Sequence, residues 1–316
     1  MVEESQETPQ SFEDYLRGLQ DASRRLTAKG LARLSGMTRE QLASFRAAWP
    51  KADAARRLAV VQELLDLEED NIEFDFDAVF LEGLNDEDSE VRLASVRGLW
   101  EHEKPDVIEP LVRLARADAD PGVRAEASLA LGRFVILFET GRLRERHFRP
   151  VEEALREVFS NREEIDEVRA RALEAMGARD EGWVRQAISE AYESGARRMK
   201  VAAVHAMGRS CEPRWISLLL RELENEEPEI RYEAATALGL LGDENAVPNL
   251  IRALTDSDEE VRGAVIAALG EIGGREARQA LQELSREGTP AAKEAALEAL
   301  AESDFEQDPL AFRQRF

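Results

Sequence analysis

The chain has 316 residues, 43% of them hydrophobic, so it can bury a sizeable core and is not a wholly disordered protein. Its 65 acidic and 42 basic residues leave a net charge of −23, which disfavours nucleic acid and anionic membranes, since both recruit clustered Lys and Arg. Cys211 is the single cysteine, no stretch approaches about 18 consecutive apolar residues, and the acidic start lacks the basic and apolar segments of a signal peptide, so the expectation is a cytoplasmic protein without disulfides.

Residues 1–10 are polar and are expected to be disordered. Residues 11–50 are expected to form a helical N-terminal cap of two or three short helices. One of these opens at a capping box from Thr38 to Gln41 and closes at Trp49-Pro50.

From 51 to 303 one pattern recurs. A basic residue stands at Arg92, Arg124, Arg169, Lys200, Arg231, Arg262 and Lys293, at separations of 32, 45, 31, 31, 31 and 31 residues. An apolar residue precedes it, as at Val91, Val123 and Val168; a small one follows at +3, as at Ala127, Ala172 and Ala203; a Leu or Met follows at +7, as at Leu99, Leu131 and Met176. These offsets share one face of a helix and define a buried stripe. The alanines at +6, among them Ala206, Ala237 and Ala268, let a neighbouring helix come close. Glycines at +8 (Gly132, Gly177, Gly208, Gly239 and Gly270) are expected to end the helix, and Asp86, Asp118 and Asp256 at −6 to cap its start. A further apolar helix precedes each turn, with Pro105, Pro150, Pro213 and Pro248 near its beginning. The unit is therefore helix A, a tight turn and helix B. A degenerate eighth unit at Arg57, with Ala59 and Leu64 in register, lacks the glycine, as terminal repeats tolerate.

The series resembles HEAT repeats, in particular the HEAT-like repeats named after phycobilisome lyases, whose D-x-D-x-x-V-R-x-x-A-x-x-A-L-G pattern is nearly complete from Asp256 through Val261 and Arg262 to Gly270. The resemblance covers roughly residues 70 to 303. It implies an all-α fold, a right-handed α-solenoid of about eight helical hairpins. It also implies that the basic column, Arg92, Arg124, Arg169, Lys200, Arg231, Arg262 and Lys293, is a structural ladder. Its acidic partners would be turn residues of adjacent repeats, with Asp86, Asp118 and Asp256 set against Arg92, Arg124 and Arg262. With helix B on the concave side, offsets +1, +2 and +5 face a groove. The candidate partner-binding residues there are Arg97, Arg171, Val201, His205, Tyr232, Glu233 and Thr236, with Arg171, His205 and Tyr232 as a central patch.

Two places depart from the period. The interval from Arg124 to Arg169 carries an insertion near 133–149, either a longer helix B whose Phe134, Ile136, Leu137 and Phe138 complete the core, or a protruding hairpin with a binding surface. Residues 304–316 form a C-terminal tail that either folds back over the last repeat or orders on a partner.

No catalytic constellation emerges. His102, His147 and His205 are the only histidines, and His102-Glu103 is the sole His-Glu pair, against the several that HEAT-fold deoxyhypusine hydroxylases use for iron. There is no H-E-x-x-H, no phosphate-binding G-x-x-x-x-G-K-[ST] and no G-x-S-x-G. The expectation is a non-enzymatic interaction scaffold of bacterial type, without cofactor or metal. It would be a monomer binding a protein or extended peptide with a basic or apolar surface. Alternatives are an accessory lyase or chaperone acting on a pigment-bearing protein, and a structural assembly factor.

Overall fold

A computed structural model describes residues 11–307, and every regular element among them is helical. Residues 1–10 lie outside the described residues, as does the tail from Asp308 onward. Two compact units divide the chain. One holds residues up to Leu137 together with Leu143–Glu157; the other holds Phe138–Arg142 and Val158 onward.

The first unit opens with α1 (Phe12–Leu19), α2 (Ala28–Leu31) and α3 (Arg39–Ala48), each started by a side chain that accepts an orphan amide: Ser11, Thr27 and Thr38. At Thr38 the exchange is reciprocal, because Gln41 accepts from the Thr38 N–H in return. Then come α4 (Ala54–Asp70), the degenerate repeat helix, the hairpin of α5 (Asp77–Gly83) with α6 (Ser89–Gly98), and the successive helices α7 (Ile108–Ala117) and α8 (Pro121–Glu139).

Helix α8 continues without a break through Gly132, and α9 (Glu145–Ser160) begins after a short turn. The insertion is thus spent on lengthening these two helices, and the unit boundary falls within it. Phe134 and Leu137 are buried as a core reading requires, whereas Ile136 is exposed.

In the second unit α10 (Asp166–Met176) is followed by four hairpins. They pair α11 (Gly182–Glu193) with α12 (Arg197–Arg209), α13 (Ile216–Glu222) with α14 (Pro228–Leu241), α15 (Val247–Ala253) with α16 (Glu259–Ile272), and α17 (Gly274–Glu287) with α18 (Pro290–Gln307). Residues 304–307, assigned above to a tail, continue α18. The B helices α10, α12, α14, α16 and α18 form a row, each packed on the next, and this row is more intimate than the row of A helices.

The glycines at +8 explain that intimacy, and, apart from Gly177, which ends α10 as expected, their role differs from the helix-ending one. Gly208, Gly239 and Gly270 lie inside helices, and the chain turns only later, at Gly242 (φ 65°) after α14 and at Gly273 (φ 67°) after α16. A Cβ on Gly208 would stand 2.6 Å from the Cα of Ala237; on Gly239, 2.9 Å from that of Ala268; on Gly270, 2.9 Å from the Cβ of Ala299. Each glycine therefore receives the +6 alanine of the following repeat, and the bare backbone sets the helix spacing.

The helix starts also differ from expectation. The capping residue stands at −4: Asp88, Asp120 and Asp258 each accept two backbone N–H groups of the first turn. The −6 aspartates accept one amide two residues ahead and keep their remaining oxygen capacity for the arginines.

Candidate functional site

Two sets of side chains repeat along the B helices: a ladder at the turns and a polar array on the exposed side. In the ladder, the arginines reach back to their own turn and, at Arg92 and Arg231, forward to the next. Arg92, Arg124, Arg231 and Arg262 donate to two backbone carbonyls of their own turn, those of residues −6 and −5. Arg92 and Arg231 also grip the next turn's carboxylate in a two-pronged bond, Asp118 at 2.7 Å and Asp256 at 2.7 and 2.8 Å. Hydrogen bonding from Arg231 outweighs burial and holds the Asp256 carboxyl below the usual carboxylate range.

The ladder begins one repeat earlier than the seven residues named, because Arg57 grips Asp86 in the same way, with both side chains 3% exposed. Trp49 Nε1 donates to the same carboxylate at 2.9 Å and so ties the N-terminal cap to the first full repeat. Two positions depart. Arg169 turns back to the Phe159 carbonyl and Asp166, since the long link after α9 offers no aspartate at −6, and Lys200 meets the buried Glu222 at 2.8 Å. Lys293 lies half-buried on the last B helix, α18.

The exposed array pairs the +5 position of one repeat with the +2 position of the next. Arg97 meets Glu126 at 3.2 Å, and His205 Nδ1 meets Glu233 at 3.1 Å. Across α10 and α12, Arg171 and Arg198 are each bonded to both Glu167 and Glu174. The hydrogen bond from Arg198 lowers the Glu167 pKa against the opposing effect of burial. Sequence reasoning missed Glu167 and Arg198 at −2; their 31-residue separation, the repeat length, was the available signal.

Of the candidate partner-binding residues, Arg97 and Tyr232 are exposed, and Arg171, His205, Glu233 and Thr236 are half-buried. Val201 is a correction: at 4% exposure it cannot touch a partner. Arg198 and His205 stand on the same helix face one turn to either side, and their longer side chains rise above the short valine.

Large exposed apolar residues follow the same geography. Among the described residues, every one that lies in a helix lies in a B helix: Leu129 and Ile136 in α8, Tyr232 and Leu240 in α14, and Leu297 in α18. The seven-residue spacing in α8 and the eight-residue spacing in α14 place each pair along one side of its helix. No group of three or more His, Cys, Asp or Glu suited to a metal occurs among the described residues, and no helix of theirs is long and apolar enough to cross a membrane.

Helical hairpins repeated in register, with a tight B row, define an all-α solenoid. Residues 78–142 and 216–301 match the family model for HEAT repeats, and these two stretches are HEAT repeats. Among solved structures it is similar to the complex of CpcE and CpcF of phycocyanin lyase from Nostoc sp. PCC7120, at 17% identity and a TM-score of 0.54 over 84% of this chain and 96% of that one. It is also similar to YibA of E. coli, at 17% identity and a TM-score of 0.43 over 76% of this chain and 96% of that one. Against importin beta the identity is 14% and the TM-score 0.49, over 92% of this chain and 46% of that one. No curated protein matches the sequence.

Proposed function

We propose that this protein is a non-enzymatic scaffold or adapter that holds a protein or extended peptide against the exposed side of its B helices. The observation that carries this reading is that, among the described residues, the large exposed apolar side chains lying in helices all lie in B helices, beside a charged array. Apolar anchors rimmed by polar groups are the anatomy of a protein interface. In the second unit the residues assigned to binding are Arg171, His205, Tyr232, Glu233 and Thr236; in the first, Arg97. A net charge of −23 favours a partner whose surface is basic as well as apolar.

The test is affinity capture from the native host, identification of the partner and measurement of its dissociation constant. Joint replacement of Arg171, His205 and Tyr232 by Ala is expected to weaken binding by about thirtyfold, the effect of one interface hot spot. Affinity should also fall as salt rises. An identified partner that binds the triple variant as tightly as the parent would refute the assignment.

A second reading is an accessory lyase or chaperone for a pigment-bearing protein. It draws on the fold likeness to the phycocyanin lyase complex. Visible bilin absorbance retained on the purified chain would favour it over the scaffold.

A further inference from the structure

The first unit contains a cavity of about 630 Å³, within the range of ligand pockets, where α4 runs out beside the end of α6. Its origin lies in the repeat. The +8 position, glycine in the five units from Arg124 to Arg262, is Leu65 in α4 and Trp100 after α6, and both residues line the cavity. Helix α6 already stops at Gly98, so Trp100 falls in the turn and remains 67% exposed. Ile72, in the link after α4, is 95% exposed. Ile72 is thus left open at this concavity, and Trp100, although Arg133 lies over its ring, still exposes most of its indole.

The remaining wall is acidic. Glu68 and Glu69 come from α4, Asp75 and Asp77 from the start of α5 and its approach, and Glu101 from the turn after Trp100. Two basic side chains face these five carboxylates, and both already hold carboxylates: Arg97 meets Glu126, and His102 lies 2.7 Å from Asp77 and from Asp106. Lys104 stands 3.8 Å from Asp77 at the margin. Burial, with Asp77, Asp75 and Glu101 nearby, pushes the Glu68 carboxyl up to about 7, although it accepts the Phe76 N–H at 3.0 Å. The cavity thus concentrates negative charge against apolar and aromatic surface.

We infer that this cavity is a binding site for an arginine side chain presented by a partner peptide, its stem against Ile72 and Trp100 and its guanidinium among the carboxylates of Glu68, Asp75 and Glu101. A planar, weakly hydrated guanidinium stacks on indole and takes carboxylates by forked hydrogen bonds, which a compact ammonium does less well. The same chain illustrates the stacking, because the Arg133 guanidinium lies 5.5 Å from the centre of the Trp100 ring. This site is in the first unit and does not rest on the array of α10, α12 and α14, so either can fail alone.

The experiment uses the full chain and two capped single residues, Nα-acetyl-arginine methylamide and its neutral isostere Nα-acetyl-citrulline methylamide. NMR follows the Trp100 indole N–H, assigned with Trp100→Phe. The arginine probe is expected to shift this resonance saturably and bind at least about tenfold more tightly than the citrulline probe, as loss of a charge-assisted contact dictates. Glu68→Gln is expected to weaken the arginine probe by about fivefold at pH 8, one charge-assisted contact among several. Binding should tighten from pH 6 to pH 8 as Glu68 ionises, and less so in that variant. Equal affinity for both probes, or no shift at Trp100, would overturn the inference; both are read on the unsubstituted chain.

Discussion

At the scale of single residues, the charged side chains of this protein divide by their partners. Arg57 and Asp86 are buried together and Trp49 donates to the same carboxylate, so removing Asp86 leaves the Trp49 N–H without its acceptor and Arg57 with only Glu87 and the Ala52 carbonyl. Asp86→Ala is expected to destabilise the first unit by about 3–5 kcal/mol, read from the urea midpoint, and Asp86→Asn by less, since an amide oxygen still accepts from Trp49. Asp256 supplies the pH dependence. Its folded pKa is depressed by Arg231, so its contribution is complete above the unfolded value of about 4 and is lost as pH falls through the folded value. Asp256→Asn should therefore cost stability at pH 7 and little at pH 2, and its thermal midpoint should change less on acidification than the parent's. The ladder's columns were legible but its pairing was displaced by one repeat. The carboxylates of Asp86, Asp118 and Asp256 meet Arg57, Arg92 and Arg231 of the preceding repeats, while Arg92, Arg124 and Arg262 take the backbone carbonyls of these aspartates. An arginine six residues after the aspartate reaches back to its own turn's main chain and, at Arg92 and Arg231, forward to the next turn's side chain. The burial of Val201 was not legible, because a column read from offsets ignores side-chain length, and the neighbours rather than the register decided it.

At the scale of the element, the glycine column separates two accounts by sign. A glycine that merely occupies a helix interior should be improved by alanine, by about 0.5–1 kcal/mol. A glycine against a facing backbone should be harmed. Gly208→Ala places a methyl 2.6 Å from the Ala237 Cα and is expected to destabilise by about 1–3 kcal/mol in denaturant unfolding. The sequence revealed the +6 and +8 columns as small residues but not that they meet, since their contact joins repeats and leaves no local signature. The helix starts were misplaced for a related reason: in the Asp-x-Asp turns both aspartates are capping residue types, and only the backbone conformation separates the cap from the ladder partner. The cavity beside Trp100 had a visible trace, two consecutive units without the +8 glycine, which gains meaning once that glycine is understood as a spacer.

At the scale of the whole molecule, the regular repeat accounts for the fold and the B helices carry what the repeat does not use. Hairpins α11–α12, α13–α14 and α15–α16 bury the same stripe in the same way, so the proposed scaffold would draw its selectivity from positions that vary between them, exposed Tyr232 against Gly263 at +1 and half-buried His205 against Thr236 at +5. The most direct measurement is hydrogen exchange of the full chain, read by mass spectrometry, with and without the captured partner. The account predicts slowed exchange in α12 and α14, with the A helices α11, α13 and α15 unchanged. Protection confined to those A helices would contradict it.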